Sequence, residues 1–117
     1  MPTINPQIFR EYDVRGIADS DLKPDVVYAL GRAIGTRLVR EGRKEIVLGR
    51  DCRLSSPRIH VELERGLLST GIDLLDIGVV PTPLVYFAIR HFKTGGGVMI
   101  TGSHNAGHYN GFKICSG

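Results

Sequence analysis

The chain is poor in sulfur and in anything that would carry it out of the cell. It has two cysteines, Cys52 and Cys115, and they form no CxxC pair. Two cysteines in a chain with no secretory leader read as free thiols and not as a disulfide framework. Met1-Pro2-Thr3-Ile4-Asn5 lacks the charged and apolar regions of a signal peptide. No apolar stretch approaches the roughly 20 residues of a membrane span. The expectation is a cytoplasmic protein with no membrane partner. Several catalytic signatures are missing too. Gly95-Gly96-Gly97 precedes a strand instead of joining a strand to a helix, so neither a dinucleotide fingerprint nor a phosphate-binding Walker loop is present. A serine-hydrolase elbow needs glycines two residues either side of its serine, and around Ser103 those positions are Thr101 and Asn105. His104-Asn105-Ala106-Gly107-His108 lacks the glutamate of HExxH, and Ala-Gly disfavours the helix that would align the two rings. No internal repeat, low-complexity segment or run of closely spaced aspartates occurs.

What is present is a chain of 117 residues, 42% hydrophobic, enough for one domain with its own core over residues 1–117. The net charge is +3 and the pI about 9.1. The bases are scattered except for Arg37, Arg40, Arg43 and Lys44, which close a predicted helix and complement its dipole. That placement argues against a nucleic-acid partner.

Apolar residues Val26, Val27, Leu30, Ala33, Ile34, Leu38 and Val39 recur at helical spacing behind Pro24, and Gly42 ends that helix. Glu45 to Gly49 reads as a short buried strand. Ser55-Ser56-Pro57 opens a helix that Gly71 stops, Ile72 to Ile77 is a second strand, and Pro81-Thr82-Pro83 leads into a helix from Leu84 to Phe92. Gly95 to Thr101 gives a third strand. Gly111 to Cys115 reads as a further strand, antiparallel to the third through a short connection at Asn110-Gly111. The alternation of helix and strand predicts an α/β fold: a three-layer sandwich around a mainly parallel mixed sheet with right-handed crossovers. The loops after the three parallel strands then emerge on one edge, where α/β sheets bind ligands. Arg50-Asp51, Pro81-Thr82 and Ser103-His104 are expected to converge there. Arg50 and Asp51 read as an internal ion pair shaping that edge, and His60 and His91 as surface residues of helices.

Residues 97–114, GVMITGSHNAGHYNGFKI, are the most informative part of the chain. A hydroxyl and an imidazole stand together at a strand end. Thr101-Gly102-Ser103-His104-Asn105, followed by Tyr109-Asn110-Gly111-Phe112-Lys113, resembles the phosphoserine loop of the α-D-phosphohexomutases, and most nearly that of the bacterial phosphomannomutase/phosphoglucomutases. Phe9-Arg10-Glu11-Tyr12-Asp13-Val14-Arg15-Gly16, Gly49-Arg50-Asp51 with Arg53-Leu54-Ser55, and Gly78-Val79-Val80-Pro81-Thr82-Pro83 resemble the same family in the same order.

The resemblance implies the first domain of an intramolecular phosphotransferase that interconverts hexose 1- and 6-phosphates through hexose 1,6-bisphosphate. It makes Ser103 the phosphoserine, with His104 donating to the phosphate or assisting proton movement. Lys113 becomes the general acid/base at the sugar hydroxyl, a role that as a base needs desolvation or neighbouring cations. Arg15 becomes the phosphate partner, since a guanidinium matches phosphate oxygens bidentately, and Tyr12 and Asp13 line the substrate cleft. Magnesium is implied, held from this chain by phosphorylated Ser103 alone. In the family, further domains supply an acidic metal loop, a specificity loop and a phosphate clamp, so these residues by themselves are expected to be inactive. A non-catalytic phosphate-binding or interaction module is the alternative. One departure stands out: family members commonly carry Pro-Pro and an acidic residue after Ser-His-Asn, and this chain has Ala106-Gly107-His108. Such changes loosen a loop by about 0.4–1 kcal/mol per site.

Overall fold

The three buried strands expected from the sequence lie side by side in a computed structural model that describes residues 3–8, 13–102 and 106–116. Tyr12, Ser103 and His104 lie outside the described residues. The strands are β1 (Asp13–Ile17), β2 (Glu45–Arg50), β3 (Asp73–Val79), β4 (Gly96–Ile100) and β5 (Tyr109–Ser116), with helices α1 (Ala18–Asp21), α2 (Pro24–Arg40), α3 (Ser56–Leu68) and α4 (Thr82–His91). They form one sheet in the order β1-β5-β4-β2-β3. β2 pairs in parallel with β3 and β4, while β5 is antiparallel to β4 and to β1. Four strands therefore point the same way and β5 alone runs counter.

Side chains alternate across the pleat. Ile46, Leu48, Val98, Ile100 and Phe112 join Val26, Val27 and Leu30 of α2 and Ile59, Leu63 and Leu67 of α3 in one core. Val47, Met99 and Cys115 turn to the other face, against Val85, Ala88 and Ile89 of α4. The result is the three-layer sandwich that the sequence predicts. Both cysteines are free, Cys52 exposed and Cys115 buried. No helix among the described residues is long and apolar enough to cross a membrane.

Helix α2 ends as its sequence dictates. Gly42 takes φ 83°, its amide bonds Val39 O at 2.9 Å and the Arg43 amide bonds Leu38 O at 3.0 Å, a pair of bonds that satisfies the last carbonyls of a helix. Helices α2 and α3 cross at two glycines: a Cβ on Gly31 would come 2.8 Å from Leu63 O and 3.1 Å from the Cα of Gly66, so only glycine permits this approach.

Three expectations need correction. Asn110 and Gly111 are not a hairpin turn; they lie within β5, and the connection from β4 spans residues 101–108. β1 was not expected as a strand, because only Val14 and Gly16 of its five residues are buried and its one partner is β5. Helix α4 begins at Thr82, two residues early, with Pro83 in its first turn.

Phe112 is fully buried on the α2/α3 face. Truncating such a ring leaves a cavity that costs about 3–5 kcal/mol. Phe112→Ala is expected to lower the urea midpoint by that much stability, read from equilibrium denaturation with an unchanged m value.

Candidate functional site at the carboxyl edge of the sheet

β2, β3 and β4 end on the same edge, and β5 begins there. Asp51, the first residue after β2, is tied to the end of β4 by its amide, which donates to Ile100 O at 2.9 Å. Its carboxylate is a hub. Oδ1 accepts from Ser56 Oγ at 2.6 Å and from the Arg53 amide at 3.1 Å, and Oδ2 accepts from Arg53 Nε at 3.2 Å and more weakly from the Gly102 amide at 3.4 Å. Burial pushes the Asp51 carboxyl up, but the bonds from Ser56, the Arg53 amide, Thr101 and Gly102 outweigh it and hold it below its ordinary value of 3.8.

A carboxyl lowered on folding stabilises the native state fully above its unfolded pKa, and that stabilisation fades as pH falls through the lowered native value. The stability difference between wild type and Asp51→Asn is therefore expected to be largest at neutrality and to shrink as the pH falls below the ordinary carboxyl value of 3.8, measured by denaturation at several pH values.

Ser56 and Asn110 are fully buried and extend this hub to β5. Asn110 Nδ2 donates to Ser55 Oγ at 2.8 Å and Ser56 Oγ at 3.0 Å, and its Oδ1 accepts from the Gly111 amide at 2.9 Å. A buried polar group costs stability unless every partner is supplied, and here the partners bind the start of β5 to the start of α3. Arg53 reaches further: Nη1 donates to Ala106 O at 2.7 Å and to Tyr109 O at 3.2 Å. Arg58 ties α3 to the chain after β1, donating to Ala18 O at 2.6 Å and Leu22 O at 2.8 Å, while the Ala18 amide donates to His108 O at 2.9 Å. Between these segments lies a depression of about 400 Å³ lined by residues including Leu54, Arg58, Gly107 and His108.

The expected Arg50–Asp51 pair does not form. Arg50 Nη1 lies 3.7 Å from Asp76 Oδ1 instead, and Asp51 takes Arg53, because residues on either side of a strand end point away from each other. Pro81 and Thr82 open α4 at the same edge.

Arg15 and Lys113, far apart in sequence, become neighbours through β1–β5 pairing. Asp13 stands opposite Lys113 and Arg15 opposite Gly111, so the two cationic side chains share one sheet face as diagonal neighbours, about 7–8 Å apart by strand geometry. Arg15 forms an ion pair with Asp13, at side-chain exposures of 21% and 17%. Gly111 O accepts from the Thr101 amide at 2.9 Å, which places Arg15 one strand across from the chain that leads into Ser103. Among the expected site residues the structure thus gathers Arg15, Asp13 and Lys113 on adjoining strands. Ser103, His104 and Tyr12 are outside the described residues.

His60 is not a plain surface residue. Its side chain is 12% exposed, with Nε2 2.7 Å from Asp76 and Nδ1 3.7 Å from Glu64. These three are the one cluster of metal-ligand type among the described residues. The two ring nitrogens diverge, one toward each carboxylate, and Arg50 flanks Asp76, so the cluster is a polar bridge between α3 and β3. Nor do the described residues fit magnesium at the carboxyl edge: Asp51 already accepts from Ser56, Arg53 and Gly102, and Asp13 is paired with Arg15.

Comparison with known proteins agrees with the fold and the motifs. A sequence model described as "Phosphoglucomutase/phosphomannomutase, alpha/beta/alpha domain I" matches residues 6–117. Phosphoglucomutase of Neisseria gonorrhoeae is 47% identical over 117 residues, covering 100% of this chain and 25% of that protein. Phosphomannomutase/phosphoglucomutase of Pseudomonas aeruginosa is 44% identical over 113 residues, covering 97% of this chain and 24% of that protein. A crystal structure of a phosphoglucomutase/phosphomannomutase family protein from Burkholderia thailandensis superposes with a TM-score of 0.89 at 38% identity, over 97% of this chain and 27% of that one. The chain thus spans about a quarter of the length of the relatives it matches.

Proposed function

Since this chain belongs to the phosphoglucomutase/phosphomannomutase family, over its alpha/beta/alpha domain I, we propose that it is the part of a hexose phosphate mutase that carries the phosphoryl group. The supporting observation is the placement of Lys113 on the strand beside the one entering Ser103 and of Arg15 on the next strand out, on the same sheet face. In the proposed reaction the hydroxyl oxygen of a hexose monophosphate attacks the phosphorus on Ser103. The bond from phosphorus to Ser103 Oγ breaks as the new one forms, and the hydroxyl proton leaves to a general base, the role assigned to Lys113. The resulting 1,6-bisphosphate then returns its other phosphoryl group to Ser103, leaving the isomeric monophosphate. Arg15 grips phosphate oxygens, His104 donates to the phosphate or moves its proton, and Tyr12 lines the cleft. Such transfers are limited by positioning and charge stabilisation more than by covalent chemistry.

Magnesium, when bound, offsets the charge on the transferring group. The ligand proposed from this chain is the phosphate on Ser103, as the described carboxylates are engaged elsewhere. A coupled assay tests the reading in a mutase of full family length carrying these residues, either a native longer chain or the gonococcal relative with this segment in place of its own. Conversion of glucose or mannose 1-phosphate to the 6-phosphate, dependent on a hexose 1,6-bisphosphate, is expected. No conversion of either sugar would overturn it.

A further inference from the structure

Two residues that the proposed reaction does not use hold the chain on both sides of Ser103. Asp51 engages the entering side, through the Gly102 amide at 3.4 Å and the Thr101 side chain. Arg53 engages the leaving side, through Ala106 O at 2.7 Å and Tyr109 O at 3.2 Å. The two are joined to each other by an ion pair of 3.2 Å, with side chains only 20% and 14% exposed. One partly buried ion pair therefore fixes the backbone at both ends of the 103–105 segment. A third observation is steric: a Cβ on Gly102 would come 2.5 Å from the Arg53 guanidinium carbon and 2.7 Å from Nε. Glycine at 102 is what leaves room for the guanidinium beside the entering chain while it reaches the leaving one.

We propose that Asp51 and Arg53 are positioning residues for phosphoryl transfer, clamping the backbone before and after Ser103 so that its hydroxyl is presented in one place. This rests on the reading of Ser103 as the phosphoryl carrier. The network behind the clamp is rigid: Ser56 donates to Asp51 and accepts from buried Asn110, so the carboxylate is oriented before any substrate arrives. A fork is needed at position 53. A guanidinium presents Nε to Asp51 and Nη1 to Ala106 and Tyr109 in one rigid plane, two separated donor nitrogens where an ammonium has one. Displacing a reacting group by about 1 Å costs on the order of 10²-fold in rate, and that sets the expected effect.

The test uses the mutase of full family length carrying these residues, with the variants Arg53→Lys and Gly102→Ala, and Asp51→Asn as a further variant. Each is assayed for kcat and KM with a hexose 1-phosphate and for amide hydrogen exchange. The expected result is a kcat lowered on the order of 10²-fold with KM within about threefold. Exchange should accelerate in peptides covering residues 101–109 and stay as in wild type in peptides from β2, β4 and α3. Arg53→Lys keeps the charge but loses the planar fork and its reach, so it separates the clamp from simple loss of a cation. Unchanged kcat and unchanged exchange in 101–109 for Arg53→Lys and Gly102→Ala would overturn the proposal, as would acceleration spread evenly over the whole domain. If the wild-type enzyme shows no phosphate on Ser103 and no turnover, the mutase reading fails; local exchange in 101–109 still reports on the clamp by itself.

Discussion

Ser103→Ala, in a mutase of full family length carrying these residues, is expected to abolish both the phosphoryl group and the interconversion of hexose phosphates. The loss should be on the order of 10⁶-fold in kcat, the scale set by deleting the nucleophile of a covalent catalyst. Removing one hydroxyl leaves Arg15, Lys113 and the loop amides to bind phosphate, so binding of a hexose monophosphate should survive with little change. The same substitution should barely affect folding, because the described cores lie elsewhere: Phe112 and Ile100 on one face, Met99 and Val47 on the other. Kinetics beside an equilibrium unfolding curve and a calorimetric titration with glucose 1-phosphate separate these effects. Loss of stability equal to the loss of activity would make Ser103 a structural residue.

The second expected result concerns the 117 residues alone. They should show no measurable mutase turnover, even with magnesium and a bisphosphate activator. In the proposed reading the chain supplies a nucleophile, an acid/base and an arginine, but the described carboxylates at that edge are committed to Arg15, Arg53 and Ser56. Nothing described grips the far end of a sugar phosphate. The proximity contribution, about 7–11 kcal/mol in favourable intramolecular systems, is then largely forfeited. Weak phosphate binding is expected to remain. A coupled assay beside a Ser103→Ala control and a full-length relative decides this. Serine-dependent turnover within about tenfold of the full-length enzyme, a barrier difference of about 1.4 kcal/mol, would mean that the essential groups lie within these residues. Phosphate binding by a full-length protein that never turns over would favour the non-catalytic module.

The elements that hydrophobic periodicity announces are the ones that the core uses. Val26, Leu30 and Leu38 mark α2 because one face of a 3.6-residue repeat is buried, and Ile46 to Leu48 mark β2 because both faces of a central strand are. Gly42 and Gly71 stop their helices with φ of 83° and 90°. β1 escaped notice for the converse reason. An edge strand of Asp-Val-Arg-Gly-Ile carries two charges and a glycine, and its only reason to be extended is β5, far along the chain. Asn-Gly favours turns, whereas here Asn110 lies within a strand, buried and bonded to two serines.

Residue types at the site were legible in the sequence; their partners were not. Arg15 and Lys113 stood out through motifs, yet only the strand order makes them neighbours. Nothing local shows which carbonyls Arg53 and Arg58 reach, because their acceptors, Ala106 and Ala18, are 53 and 40 residues away. Asp51 pointed to Arg50 by adjacency, but neighbours at a strand end face opposite ways. Besides the motif that holds it, a signal for Arg53 is its position two residues after Asp51, the spacing at which a carboxylate also caps the following amide.

The most direct measurement is the location of the phosphate. The full-length protein is purified without phosphatase treatment, primed with a hexose 1,6-bisphosphate, weighed intact and mapped by peptide mass spectrometry. One phosphate is predicted, on Ser103, absent from Ser103→Ala and discharged by excess hexose monophosphate. Phosphate found reproducibly on another residue with Ser103 unmodified would contradict the assignment of this chain as the phosphoryl carrier through Ser103.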